Sequence, residues 1–252
     1  MREIAYGKRP FETELIIFDK DGTLTDFKKI WFPILEKRLQ ILTGKLHLKN
    51  REREFRKLTY RRFGINGERI DPYGPFPYTP PHEDEVIFAT ILYELGIPYE
   101  QGKMAARASV AEAEQEIDRI TISVLYEGVR EVLQRLHAGG VLLTLATADL
   151  TDIACDTLKH LGIYGLFDYV VGADMVTHNK PHPEMIEKTL EALNVSRKKT
   201  CMVGDSIVDT EMGRRGEVGL VVGVTESGIA AANDLSHHAD TVISSVRDIR
   251  VL

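Results

Sequence analysis

ELIIFDKDGTLTD, residues 14–26, runs a short apolar stretch straight into acid. Residues 14–18 read as a strand buried on both faces, because Leu15, Ile16, Ile17 and Phe18 form a continuous apolar run rather than an alternating one. Asp19 closes the run, Asp21 follows one residue later, and Gly22 with Thr23 turns the chain. Lys20, the nearest base, is expected to point away from both acids. Packing gives no reason to end a buried strand on two unpaired carboxylates.

The rest of the chain sets the frame for that pair. Its 252 residues suffice for one large domain, or for a domain with an insertion. A charged fraction of 28% and a hydrophobic fraction of 43% describe an ordinary globular protein. The net charge of −6 gives no general affinity for nucleic acid or for an anionic membrane. Cys155 and Cys201 form no CxxC pair and no disulfide framework. MREIAYGKRPFE lacks the apolar stretch of a secretory signal, and no apolar run reaches the roughly 18 residues of a membrane span. A reducing cytoplasm is the expected location.

The next clear strand, VLLTLAT at 141–147, comes more than a hundred residues after the first. Helix-like sequence fills the interval. Ile34, Leu35, Leu39 and Leu42 mark one face, and Ile87, Phe88, Ile91, Leu92 and Leu95 a second, with Gly96 placed to end that helix. Val110, Ile117, Ile120 and Val124 keep helical spacing on a third. DPYGPFPYTPPHEDE, residues 71–85, reads as a long loop. Beyond residue 125 helices and strands alternate, with strands at 141–147, 169–172, 200–204, 219–224 and 241–243. That alternation predicts an α/β fold, a Rossmann-like parallel sheet covered on both faces. Residues 1–26 and 125–252 form this core, and residues 27–124 a mainly α-helical insertion.

Ligands of an open parallel sheet bind outside the carboxyl ends of its strands. Asp19 and Asp21 stand there after the first strand, Thr147 and Asp149 after the second, Lys180 in the loop beyond the third, and Asp205 and Asp209 after the fourth. Taken singly, Asp149 and Asp209 fit helix capping or solvation. Asp19, Asp21 and Asp205 on one edge do not. Two like charges about 4 Å apart repel by roughly 4 kcal/mol at an effective dielectric near 20. With Lys180 as the only expected counter-charge, the cluster calls for a divalent cation. Oxygen ligands without Cys or His favour a hard ion, magnesium where phosphate is bound.

DKDGTLTD (19–26), Thr147 after a buried strand, Lys180 before Pro181, and GDSIVDTEMG (204–213) resemble, in order and spacing, the four motifs of the haloacid dehalogenase-like hydrolase superfamily. The helical insertion resembles a C1-type cap, as in phosphoglycolate phosphatase-like members. The resemblance implies a magnesium-dependent phosphatase acting on a small phosphorylated metabolite through an aspartyl-phosphate. Asp19 would be the nucleophile and Asp21 the general acid and base. Thr147, the Ala148 amide and Lys180 would hold the phosphoryl group. Asp19, Asp205 and the Asp21 carbonyl would hold Mg2+, supported by Asp209, Gly22 and Thr23. The sequence departs from the family pattern at TAD (147–149), where many relatives carry Asn after the Thr.

Two alternatives share the core motifs: a β-phosphoglucomutase-like phosphosugar mutase, and a non-catalytic phosphometabolite-binding protein. A dinucleotide-binding dehydrogenase is disfavoured, since no GxGxxG follows a strand. His178 and His182 read as loop hydrogen-bonding residues rather than zinc ligands. Trp31 reads as core of the insertion, and Cys201 as a small buried hydrophobe. Residues 28–70 hold thirteen Lys or Arg against four Glu, read as a solvated helix face. The sequence carries no signature for the substrate or for an oligomeric state.

Overall fold

The structure is a computed structural model that describes residues 2–80 and 83–252. The chain separates into two compact units, Met1–Phe27 with Ser123–Leu252, and Lys28–Ile122. The first begins with β1 (Arg2–Tyr6) and β2 (Arg9–Thr13), an antiparallel hairpin turning at Gly7 and Lys8, followed by β3 (Leu15–Phe18).

The inserted unit is mainly helical. Its elements are α1 (Phe27–Lys45), α2 (Glu52–Phe63), the two-residue strands β4 (Ile65–Asn66) and β5 (Arg69–Ile70), α3 (Glu85–Glu94) and α4 (Tyr99–Glu116). Leu35, Leu39 and Leu42 of α1 pack with Phe55 and Phe63 of α2 and Phe88, Ile91 and Leu92 of α3 in one buried cluster. Gly96, at a φ of 83°, turns the chain out of α3 as its position in the sequence suggested. The long loop is present over residues 71–80 and 83–84; Pro81 and His82 lie outside the described residues.

The third helical face is corrected. α4 ends at Glu116, so Ile117, Ile120 and Val124 lie beyond it, and its buried side consists of Gly102, Ala106, Ser109 and Ala113. These residues are small because α3 runs close by: a Cβ on Gly102 would meet the Leu92 Cβ at 3.1 Å. A stripe of small residues barely registers as apolar periodicity, and the larger residues downstream mimicked one. Arg51 just before α2, and Arg56 and Arg62 on it, pair with Glu54, Glu36 and Glu94, while Arg53, Lys57 and Arg61 are exposed, as a solvated face would be.

The chain returns through α5 (Val129–Ala138), β6 (Leu142–Ala146), α6 (Thr151–His160), β7 (Tyr169–Val171), α7 (Glu184–Leu193), β8 (Thr200–Gly204), α8 (Ile207–Arg215), β9 (Leu220–Val224), α9 (Ala232–Leu235), β10 (Thr241–Ile243) and β11 (Ile249–Val251). Six of the strands form a parallel sheet in the order β10-β9-β8-β3-β6-β7. This is the expected Rossmann-like core. Ile16 and Phe18 of β3 join the cluster containing Val129, Leu133 and Leu158, whereas Leu15 and Ile17 join Met185, Ile186 and Met212 on the other face. Burial on both sides is the physical reason for the unbroken apolar run.

The hairpin of β1 and β2 with β11 makes a separate antiparallel sheet, order β11-β1-β2, that the sequence reading did not anticipate. Ile4 and Tyr6 bury fully from it. Among the described residues no helix is long and apolar enough to cross a membrane.

Candidate active site

β3 sits between β6 and β8, so the carboxyl ends of all three open on one edge of the sheet. Asp19 leaves β3 with its amide donating to Val203 O of β8 at 2.9 Å, which fixes where its side chain emerges. Asp205 follows β8 directly. Gly22, at a φ of 96°, closes the turn of the first loop, and Thr23 donates its hydroxyl to Asp205 Oδ1 at 3.2 Å. Carboxylate oxygens of Asp19, Asp205 and Asp209 lie within 4.8 Å of one another, and all three residues are buried.

Lys180 anchors this group. Its Nζ donates to Asp19 Oδ1 at 2.6 Å and to Asp209 Oδ1 at 2.7 Å. Asp209 also serves α8: its Oδ2 accepts from the Ser206 amide at 3.2 Å and hydroxyl at 2.5 Å, while the Ser206 hydroxyl accepts from the Asp209 amide. This capping box satisfies first-turn donors of the helix and leaves the other oxygen for Lys180. Capping and orienting are therefore one arrangement here.

The expectation for Lys20 is corrected. Its Nζ lies 3.0 Å from Asp21 Oδ1 and 2.7 Å from Asp149 Oδ2, and the residue is buried. β3 has already ended at Phe18, so alternation along a strand no longer governs where Lys20 points. Asp149 is correspondingly neither solvated nor a cap, since Leu150 occupies the N-cap of α6. Thr25 donates its hydroxyl to Asp21 Oδ1 at 2.7 Å. Thr147 is buried at the end of β6, its hydroxyl accepting from the Asp149 amide at 3.2 Å, and Ala148 beside it is exposed.

Five carboxylates thus share this edge with two ammonium groups. Burial, and then the neighbouring Asp209, push the Asp19 carboxyl up to about 7 against the opposing pull of Lys180. Burial, followed by Asp19 and Asp209, holds Asp205 well above the usual carboxylate range, opposed by hydroxyls of Ser227 and Thr23. Lys180 and Lys20 are held above the ordinary lysine range by their paired acids, which outweigh burial. With Asp19 and Asp205 both held above the usual range and every donor an oxygen, the group fits a hard divalent cation.

His178 and His182, with Glu184, make a second group whose potential ligand atoms lie within 4.8 Å of one another. Their rings lie 4.6 Å apart, and Glu184 takes the amides of Thr177 and His178 at 2.8 and 3.0 Å, a hydrogen-bonded loop leading into α7. Thr25 and Ser227 are residues of the site that the sequence reading passed over, beside Lys20, which it placed wrongly. Thr25 lay inside the quoted motif; nothing local marks Ser227.

A sequence model of the haloacid dehalogenase-like hydrolases matches residues 13–216. The chain belongs to that family. It is 38% identical over 93 residues to the pyrophosphatase PpaX of Halalkalibacterium halodurans, covering 37% of this chain and 43% of that one. It is 37% identical over 84 residues to a phosphoglycolate phosphatase of Colwellia psychrerythraea, covering 33% and 37%. The chain thus spans less than half the length of either relative. A crystal structure of a HAD-superfamily hydrolase, subfamily IA, from Geobacter sulfurreducens superposes with a TM-score of 0.62 at 20% identity, covering 96% of this chain and 97% of that one. That likeness is one of fold.

Proposed function

We propose that this haloacid dehalogenase-like hydrolase is a magnesium-dependent phosphatase that cleaves a small phosphorylated metabolite through an aspartyl-phosphate on Asp19. The observation that carries the reading is the contact of Lys180 with Asp19 inside the buried group of Asp19, Asp205 and Asp209. A structural ion pair needs no second and third acid.

Asp19, Asp205 and the Asp21 carbonyl would hold magnesium, which when bound offsets carboxylate and phosphoryl charge. Asp209 supports rather than ligates, because its two oxygens serve Lys180 and the α8 cap. Thr147, whose hydroxyl accepts from Asp149, retains its own proton for a phosphoryl oxygen, with the Ala148 amide beside it. An Asp19 oxygen attacks phosphorus while Lys180 neutralises charge on the transferring group. Asp21 gives a proton to the departing alcohol oxygen as the P–O bond breaks. It then takes a proton from water, whose oxygen attacks the aspartyl-phosphate, releasing phosphate and restoring Asp19. Residues 28–122 are read as the C1-type cap, and the free thiols Cys155 and Cys201 suit a cytoplasmic protein.

The test is turnover of p-nitrophenyl phosphate. It is expected with magnesium, and expected to vanish in Asp19→Asn and after chelation. Turnover that survives either treatment overturns the proposal.

A further inference from the structure

We infer that Lys20 and Asp149 form a positioning pair that holds the Asp21 carboxylate and ties its loop to the loop carrying Thr147. The inference rests on the proposed role of Asp21 as acid and base.

Lys20 is 3% exposed, and its ammonium sits between Asp21 Oδ1 at 3.0 Å and Asp149 Oδ2 at 2.7 Å. The Thr25 hydroxyl meets the same Asp21 oxygen at 2.7 Å. Asp21 is therefore held from two directions, by a charge and by a hydroxyl. Asp149 is in turn fixed through its backbone: its amide donates to Thr147 Oγ1 at 3.2 Å, and its carbonyl accepts from the Ala173 amide at 2.8 Å. The contacts run continuously from Asp21 through Lys20 and Asp149 to Thr147.

Fold stability gives this arrangement little reason to exist. Taking an ammonium and its partner carboxylate out of water is costly, and an apolar side chain of similar volume commonly serves a buried position as well or better. Methionine is near in length to lysine and carries no charge. The burial of Lys20 is explained if a charge is needed at that point, between the Asp21 and Asp149 carboxylates. Proton transfer depends on a donor held within hydrogen-bond reach of the reacting oxygen, and displacement by 1 Å can lower a rate about 10²-fold. Asp21 sits on a tight turn rather than on a strand or helix, so contacts of this kind fix its side chain.

The experiment compares Lys20→Met, Asp149→Asn and the double variant with the wild type, using p-nitrophenyl phosphate and magnesium. Lys20→Met is expected to lose roughly 10²-fold in kcat with KM within about twofold, the signature of an interaction made in the transition state. Asp149→Asn should lower kcat in the same way but by less. The double variant should be no worse than Lys20→Met, because the two act as a unit. A crystal structure of Lys20→Met should show the Asp21 carboxylate displaced from Thr25. Should Lys20→Met not fold, Asp149→Asn, which retains the lysine, carries the same kinetic test. An unchanged kcat, a loss confined to KM, or Asp21 still seated on Thr25 overturns the inference. A wild type without phosphatase activity overturns the functional reading instead, and the crystal structure then decides whether Lys20 holds Asp21.

Discussion

The α-carbon of Gly22 is pressed against the carboxylate of Asp205: a Cβ built on it would stand 2.2 Å from Oδ2 and 2.5 Å from Cγ. The two residues are separated by most of the chain, and their approach brings the loop after β3 onto the loop after β8. Gly22 also holds a φ of 96°, which side chains disfavour. Gly22→Ala is therefore expected to displace Asp205 and to cost about 1–3 kcal/mol of backbone strain. Phosphatase turnover should fall by about 10²-fold, with a lower melting temperature, measured by steady-state kinetics and calorimetry.

Lys180 bridges Asp19 and Asp209, so its removal leaves two buried acids without their shared cation. Lys180→Met should lower kcat by about 10²–10³-fold, the scale seen when one electrostatic stabiliser is lost. Asp209→Asn should be milder, since Lys180 keeps Asp19 and the amide can still accept at the cap. Kinetics of the two variants side by side check the order.

The raised pKa of Asp19 gives the metal-free protein a defined pH response. Between the unfolded carboxylate value near 4 and the folded value of about 7, the native state binds more protons than the unfolded state. Stability from this group is therefore present at low pH and lost as pH rises through that window, and Asp205, also raised, acts in the same direction. The chelated protein should melt at a lower temperature at pH 7.5 than at pH 5.5. Added magnesium should raise the melting temperature more at the higher pH. Thermal melts across pH, with and without magnesium, read both effects.

The inserted unit carries its own buried ion pair. Arg38 and Asp84 are 2% and 4% exposed; Arg38 Nη2 donates to Asp84 Oδ1 at 2.7 Å, and Nε donates to Ser109 Oγ at 3.1 Å. Arg38→Met leaves a buried carboxylate and should cost about 3–5 kcal/mol of stability. Arg38→Met combined with Asp84→Leu should cost less than Arg38→Met alone. Urea unfolding of the three proteins tests the comparison.

What the sequence disclosed, and what it hid, follows from the range of each interaction. Leu15 to Phe18 could be read because both faces of β3 are covered, and that requirement is written in consecutive residues. Asp19, Lys180 and Asp205 could be read because strands of a parallel sheet deliver their carboxyl ends to one edge. Lys20 was misread because its contacts begin where strand geometry stops, and its partner Asp149 comes from another loop. The sheet of β1, β2 and β11 pairs segments far apart in sequence, leaving only Gly7 after the short apolar run Ile4, Ala5 and Tyr6 as a local trace. α4 was placed too far along the chain because Gly102, Ala106 and Ala113 bury by being small, which a scan for large apolar side chains overlooks.

The central claim is that Asp19 carries the phosphoryl group, and trapping it is the most direct measurement. Protein quenched during turnover with magnesium, then treated with borohydride, should yield homoserine at position 19 by peptide mass spectrometry, and none when substrate or magnesium is omitted. Turnover with position 19 unmodified, or a phosphoryl group trapped on a different side chain, would contradict the account.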